Sequence, residues 1–349
     1  AREEKIHPSI VSTVRTVWKL VVGYTLLGAV LLFVAILGSD YGASLPVWEA
    51  AWQALNHAMT GLTTGGFSVT DNSIATYGSP LVEGMLLPIM TLGAIAFPVH
   101  YAVVYDGRIS ELWEDVQTRW LFVVLFVGTT LLVVQNLAVL TDAFTGTWAA
   151  LPSLGVSAEQ VDAVRDSAFQ FVSALTCTGF QSAPVGDWAE GGKVILSGAM
   201  VLGGAAGSTV GGIKIIRGYM VSRGIRWQFA RVFLPSTAVV RARIGDRVLD
   251  RGQMEREFSE AAIVSMLWII ILVASTMVVL NTVAPQFTLG DALFEVASAQ
   301  GNVGLSTGIT GPGMPRVVEG MFVLNMWVGR LEIIPILVFA RSALWGLNP

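Results

Sequence analysis

Six strongly apolar runs shape this sequence, at residues 17–38, 81–105, 119–141, 193–216, 261–284 and 317–344. Each is long enough to approach or exceed the ~20 residues that a helix needs to cross a bilayer core. A soluble fold would break such runs into amphipathic pieces that keep one face in water. Composition agrees, with 53% hydrophobic residues, 13% charged residues and a mean hydropathy of +0.65, whereas a soluble domain carries roughly a quarter charged residues. The expected fold class is an all-α membrane protein.

A shorter mixed segment lies inside each pair of runs, at 48–61, 163–175 and 290–299. These are too short to span, which is the length of a re-entrant half-helix. Each leads into a glycine-containing turn: Thr63-Thr64-Gly65-Gly66-Phe67-Ser68, Thr176-Cys177-Thr178-Gly179-Phe180-Gln181 and Gly301-Asn302-Val303-Gly304-Leu305-Ser306. Gly66, Gly179 and Gly304 coincide at spacings of 113 and 125 residues. The lead-in Ala54–Thr60 resembles Ala168–Ala174 in apolar spacing. The chain therefore reads as three units of membrane helix, re-entrant pore loop and membrane helix.

Charge gives an orientation. Arg217, Arg223, Arg226, Arg231, Arg241, Arg243, Arg247, Arg251 and Arg256 crowd one connector, so 217–256 is expected on the cytoplasmic side. Asp40, Glu49, Asp71, Glu83, Asp142, Asp162, Asp166 and Asp187 flank the short segments, which are expected to face outward. Those acids read either as a solvated loop surface or as a funnel that concentrates cations.

Irregular backbone at membrane depth is tolerated only where it is buried or lines water. Several half-helices around one axis meet that condition. Their partly negative C-terminal ends favour a cation, and carbonyls in the turns can replace its hydration shell. The alternative is that the glycines serve close helix packing.

Two other features stand inside spanning runs. Gly203, Gly204, Gly207, Gly211 and Gly212 crowd a segment with Ser208 and Lys214, and each glycine costs about 1 kcal/mol relative to alanine in a helix. A break at 203–214 is expected, read either as a hinge for a gate or as a plain kink. Arg330 lies within the last run, where an ionisable side chain faces water or a partner. It reads either as an electrostatic barrier beneath the turns or as a snorkelling side chain. Glu332 lies too near in sequence to share its helical face.

One cysteine, Cys177, excludes an intramolecular disulfide, and His7, His57 and His100 are widely scattered. No nucleophile–base or metal-ligand spacing appears in the apolar runs, so no enzyme activity, resident cofactor or nucleic-acid partner is expected. No signal peptide is read at the polar start Ala1-Arg2-Glu3-Glu4-Lys5. A start at Ala1 rather than Met fits a processed, trimmed or partial polypeptide.

These motifs together resemble the Trk/Ktr/HKT superfamily of potassium transporters, specifically its TrkH/KtrB pore-subunit family. The three turns carry the resemblance, with Gly203–Lys214 similar to the intramembrane loop of that family's third repeat. Gly329-Arg330-Leu331-Glu332 is similar to the arginine motif of its last repeat. The resemblance implies potassium uptake through a gated, channel-like pore in the plasma membrane. It makes Thr63, Thr64, Gly65, Gly66, Phe67, Thr176, Cys177, Thr178, Gly179, Phe180, Gly301, Asn302, Val303, Gly304 and Leu305 the selectivity filter. Bound potassium ions would sit at Thr63, Thr64, Thr176, Cys177, Gly301 and Asn302. The gate would comprise Gly203, Gly204, Gly207, Ser208, Gly211, Gly212, Lys214 and Arg330. Implied partners are a second copy of the chain, a cytosolic nucleotide-binding subunit of TrkA/KtrA type, and membrane lipid. The Arg-rich connector would touch either that subunit or the membrane surface.

The family has four such repeats in one chain, around a pseudo-fourfold axis. Three are legible here, resembling the second (1–112), third (113–225) and fourth (257–349), with the connector at 226–256. The chain is thus expected to be a fragment or a truncated product. A single shared glycine per turn, in place of a repeated Thr-Val-Gly-Tyr-Gly, implies weaker selectivity for potassium over sodium. Two other readings stay open. A secondary active cation symporter would favour inverted repeats and a buried carboxylate, whereas these repeats run parallel and the acids fall in loops apart from Glu332. A non-conducting regulatory or assembly subunit is the other.

Overall fold

The computed structural model describes residues 9–140, 157–233, 242–244, 247–331 and 333–345. Asp142, Arg241 and Glu332 lie outside them, as does His7. The first unit comprises α1 (Ile10–Leu37), the single turn α2 (Asp40–Ala43), the half-helix α3 (Val47–Leu62), α4 (Pro80–Ala94) and α5 (Phe97–Val104). After the short α6 (Glu111–Glu114) come α7 (Val116–Leu140), the half-helix α8 (Ala158–Leu175), α9 (Glu190–Val201) and α10 (Ile215–Phe233). An antiparallel hairpin, β1 (Ala242–Ile244) and β2 (Arg247–Leu249), precedes α11 (Arg251–Thr282). The half-helix α12 (Leu289–Gly301), α13 (Arg316–Leu331) and α14 (Ile333–Trp345) complete the described helices.

Among the described residues, α1, α7 and α11 are unbroken helices long and apolar enough to cross a membrane. They open the three units. The run at 81–105, read from the sequence as one apolar segment of spanning length, forms two helices, α4 and α5, bent by 110° at Ile95–Ala96. Pro98 in the first turn of α5 explains the break, because its ring would clash with a preceding helical turn and it has no N–H to donate. The run at 193–216 breaks where its glycines cluster: α9 stops at Val201 and α10 starts at Ile215. Residues of the Arg-rich stretch form the end of α10, the hairpin and the start of α11.

Local sequence sets the half-helix starts. Ser157 and Gln160 form a reciprocal capping box on α8, and Thr288 and Asp291 form another on α12, satisfying N–H groups that the first helical turn leaves unpaired. α3 starts after Pro46, whose fixed φ suits a helix entry.

The units interlock. Leu32, Ile36, Ala54, Ala58, Leu86 and Met90 of the first unit form a core that also takes Phe169 and Phe180 from the second. The second and third units share a larger core that includes Leu132, Leu175, Met200, Phe294 and Leu305.

Candidate functional site

All three half-helices end the same way. Thr64, Cys177 and Asn302 have positive φ (54°, 49° and 56°), and so do the glycines two residues later, Gly66, Gly179 and Gly304 (62°, 87° and 100°). The left-handed region disfavours residues with a β-carbon, so the repeated pattern marks a backbone held in place by its surroundings. The turn N–H groups fold back on the helix ends. Gly65 N donates to Thr60 O (2.7 Å), Thr178 N to Ser173 O (2.9 Å) and Val303 N to Ser298 O (2.9 Å). The carbonyls of Thr63, Thr64, Thr176, Cys177, Gly301 and Asn302 accept no hydrogen bond from the described residues.

The side chains at these positions are engaged elsewhere. Thr63 and Thr176 hydroxyls donate to Met59 O and Val172 O (both 2.8 Å), Thr64 to the Thr209 hydroxyl (3.0 Å), and Asn302 Nδ2 to Met326 O (3.0 Å). Cys177 is buried.

The turns stack in a fixed order. A β-carbon on Gly66 would run into the carbonyl of Thr178, and one on Gly179 into that of Val303. Among the described residues, no such carbonyl faces Gly304. The opposite edge is open too: Phe67 is 78% exposed, whereas its counterparts Phe180 and Leu305 are buried against the preceding unit.

Sequence reasoning missed two sets of residues behind the turns. The glycine spacing pairs Thr60 with Ser173 and Ser298, and the lead-in comparison above was one residue out of register. Thr60 donates to Phe67 O (2.8 Å) and Ser173 to Phe180 O (2.7 Å), while Ser298 Oγ accepts from Gly304 N (3.1 Å). One turn earlier the same spacing aligns His57, Gln170 and Glu295, all buried. His57 Nε2 bonds Ser68 Oγ (3.0 Å). The Gln170 amide, with its oxygen turned toward the donors, accepts from Ser182 N (2.7 Å) and Ala183 N (3.2 Å). Glu295 Oε1 accepts from Ser306 Oγ (2.5 Å), Thr307 N (2.9 Å) and Ile309 N (3.1 Å), and Oε2 from Thr310 Oγ1 (2.8 Å). Applying the 113 and 125 spacing to every polar residue would have found both sets.

The expectation that acids fall in loops is corrected here. Glu83 on α4, and Asp291 and Glu295 on α12, are buried. Arg165 of α8 lies 3.2 Å from Glu83, and Lys193 of α9 lies 2.6 Å from Asp291. Burial is tolerated because each acid meets a cation or converging donors.

Below the turns, the segment between α9 and α10 forms a compact loop. Gly203 N donates to Ile213 O (2.8 Å) and Ile213 N to Val201 O (2.9 Å). Ala205 N donates to Ala94 O (3.1 Å), Thr209 N to Gly93 O (3.3 Å) and Phe97 N to Gly207 O (3.3 Å), so the loop is bonded to the α4–α5 bend. A β-carbon on Gly211 would strike the carbonyl of Gly301. Gly207 and Gly212 have positive φ (81° and 70°). Ser208 Oγ donates to Ala205 O (2.6 Å), Lys214 Nζ to Val210 O, and Arg330 to Thr209 O (2.7 Å). Gly203, Gly204, Gly207, Ser208, Gly211, Gly212, Lys214 and Arg330 are therefore brought together, whereas Phe67 stands apart from the other turn residues.

Repeated apolar spans with a half-helix between them, each half-helix ending in a glycine turn, define an all-helical, multi-pass membrane protein. The chain belongs to the TrkH family of cation transport proteins, whose family model matches residues 1–346. The family is one of transporters rather than enzymes. The chain is 28% identical over 339 residues to the uncharacterized cation transporter MJ1485 of Methanocaldococcus jannaschii, covering 97% of this chain and 61% of that protein. It is 25% identical to the Trk system potassium uptake protein TrkH of Escherichia coli K12, covering 99% of this chain and 65% of that one. The crystal structure of the potassium transporter TrkH from Vibrio parahaemolyticus superposes with a TM-score of 0.76 at 23% identity, over 97% of this chain and 66% of that chain. The chain thus spans somewhat under two thirds of the length of these curated relatives.

Proposed function

We propose that this chain supplies three walls of a potassium-uptake pore, with the turns as its selectivity filter. The observation that carries this reading is the shared backbone of the turns: left-handed residues two apart, N–H groups folded back on the half-helix ends, and six carbonyls, those of Thr63, Thr64, Thr176, Cys177, Gly301 and Asn302, that accept no hydrogen bond from the described residues. Carbonyls free of protein donors can replace the hydration shell of potassium. Each half-helix adds the negative end of its dipole. Relatives named for potassium uptake support the choice of ion.

The carbonyls of Thr63, Thr64, Thr176, Cys177, Gly301 and Asn302 are the proposed ion ligands, with potassium as cargo. The loop from Gly203 to Lys214 and Arg330 form the proposed gate beneath them, with the guanidinium as both latch and electrostatic barrier. Only small movements of the loop are compatible with its bonds to the α4–α5 bend, so opening involves both breaks together. The Arg-rich stretch faces the cytoplasm by the positive-inside rule and offers a surface to a nucleotide-binding regulatory subunit of TrkA/KtrA type. A second copy of the chain and membrane lipid cover its apolar flanks. Parallel repeats, and a Glu295 carboxylate already saturated by donors, favour a pore over a proton- or sodium-coupled symporter.

Rubidium flux into vesicles holding the full-length protein tests the reading. Uptake that saturates with rubidium and is competed by potassium is expected. No uptake of either ion would sink it.

A further inference from the structure

Within that pore reading, we propose that Glu295 is a positioning residue that sets the pore's affinity for cations, through one fixed charge buried behind the third turn. His57 and Gln170 hold the equivalent segments with neutral groups, while the third unit alone uses a carboxylate at this register. Its donors come from the four residues Ser306, Thr307, Ile309 and Thr310, directly after the turn Gly301–Leu305. Among the described residues, no ion pair includes Glu295, whereas Asp291, one helical turn earlier, is matched by Lys193.

Backbone and hydroxyl donors stabilise an ionised carboxylate without cancelling its charge. The field of Glu295 therefore reaches the ion path, in contrast to that of Asp291. A unit charge on the order of 10 Å from a monovalent cation, at an effective permittivity of about 20, changes its occupancy roughly tenfold. The three turns are then electrically unequal despite their shared backbone, and the third is the one that attracts the ion most strongly.

Glu295→Gln separates charge from packing. Its amide oxygen can take the place of Oε1 against Ser306, Thr307 and Ile309, and its NH₂ can donate to the Thr310 hydroxyl. In the full-length protein in vesicles, the half-saturating rubidium concentration of this variant is expected to rise about tenfold, with a melting temperature close to the parent's. Glu295→Asp, which keeps the charge, should restore most of the affinity. Gln170→Glu places a second carboxylate where Ser182 and Ala183 N–H groups already converge, and should lower the half-saturating concentration. Unchanged concentration dependence in Glu295→Gln overturns the proposal, as does an equal loss in Glu295→Gln and Glu295→Asp. Should Glu295→Gln fail to fold, an unaltered affinity in Gln170→Glu overturns it alone. A parent protein that carries no rubidium defeats the pore reading itself, an outcome distinct from these.

Discussion

The glycines that close the three turns share a positive φ that disfavours a side chain, and Gly66 and Gly179 also face a neighbouring turn's carbonyl. At Gly179, φ is 87° and a β-carbon would meet the Val303 carbonyl. Alanine there costs about 1–2 kcal/mol from the left-handed backbone alone, before any displacement of the neighbouring turn. Gly179→Ala is expected to cut rubidium flux at least tenfold with only a modest drop in melting temperature, measured on the same preparation. Wild-type flux would show that the turn spacing does not govern conduction. Arg330 offers the opposite sign of change. Its guanidinium holds Thr209 O (2.7 Å), so Arg330→Ala should release the loop, remove a positive barrier and raise basal flux several-fold. An unchanged flux would remove both roles. The glycines and Arg330 were legible in the sequence because each violates what a plain spanning helix tolerates. Thr60, Ser173 and Glu295 were not, because a hydroxyl or an acid on a short mixed segment looks like an ordinary surface residue until the turn folds back on it.

At the scale of elements, the three half-helices and three opening spans were read from length and hydropathy, and they form as expected. The second spans were harder. The glycine cluster announced the break between α9 and α10, but the α4–α5 bend rests on one proline in an otherwise apolar run. Proline inside a spanning helix is common, and Pro88 lies within α4 itself. What distinguishes Pro98 is a tertiary fact, the loop whose N–H groups satisfy Gly93 and Ala94 carbonyls. Joints between elements were invisible for a similar reason, since ion pairs link positions about a hundred residues apart. The Lys193–Asp291 pair, with side chains only 6% and 8% exposed, is expected to matter most. Lys193→Met leaves an uncompensated buried carboxylate and should cost about 3–5 kcal/mol, read as a lower denaturation midpoint in detergent. Combining it with Asp291→Leu should recover a large part of that loss. A double variant no better than the single would show that the pair is not the source of the effect.

For the whole molecule, the open edges are the informative feature. Phe67 stands uncovered on one side and, among the described residues, Gly304 faces no carbonyl on the other, and the chain covers 61% and 65% of two curated relatives. A further homologous unit between those edges would bury the first and supply the second. The corresponding prediction is that this 349-residue chain alone gives no saturable rubidium flux, whereas the same chain joined to a further homologous unit does. Robust flux from the three units alone would mean that they close on themselves or assemble with other copies. The three repeats were legible in the sequence. The direction of stacking was not, because it depends on which carbonyl each glycine faces.

The junctions between units also bear on how such a chain can arise by duplication. At the first junction the acid, Glu83, lies on the span and the base, Arg165, on the half-helix; at the second the base, Lys193, is on the span and the acid, Asp291, on the half-helix. Copies made by duplication begin interchangeable, and two neighbouring chains could trade them. Reversed polarity ends that freedom: on the 125-residue spacing, a third unit seated in the second unit's place would put Gly290 where Arg165 stands and Asp291 where Asp166 stands, leaving the buried Glu83 without its cation. Once the two pairs had diverged, the order of the units was locked, and shuffling or swapping them became a folding error rather than a neutral rearrangement.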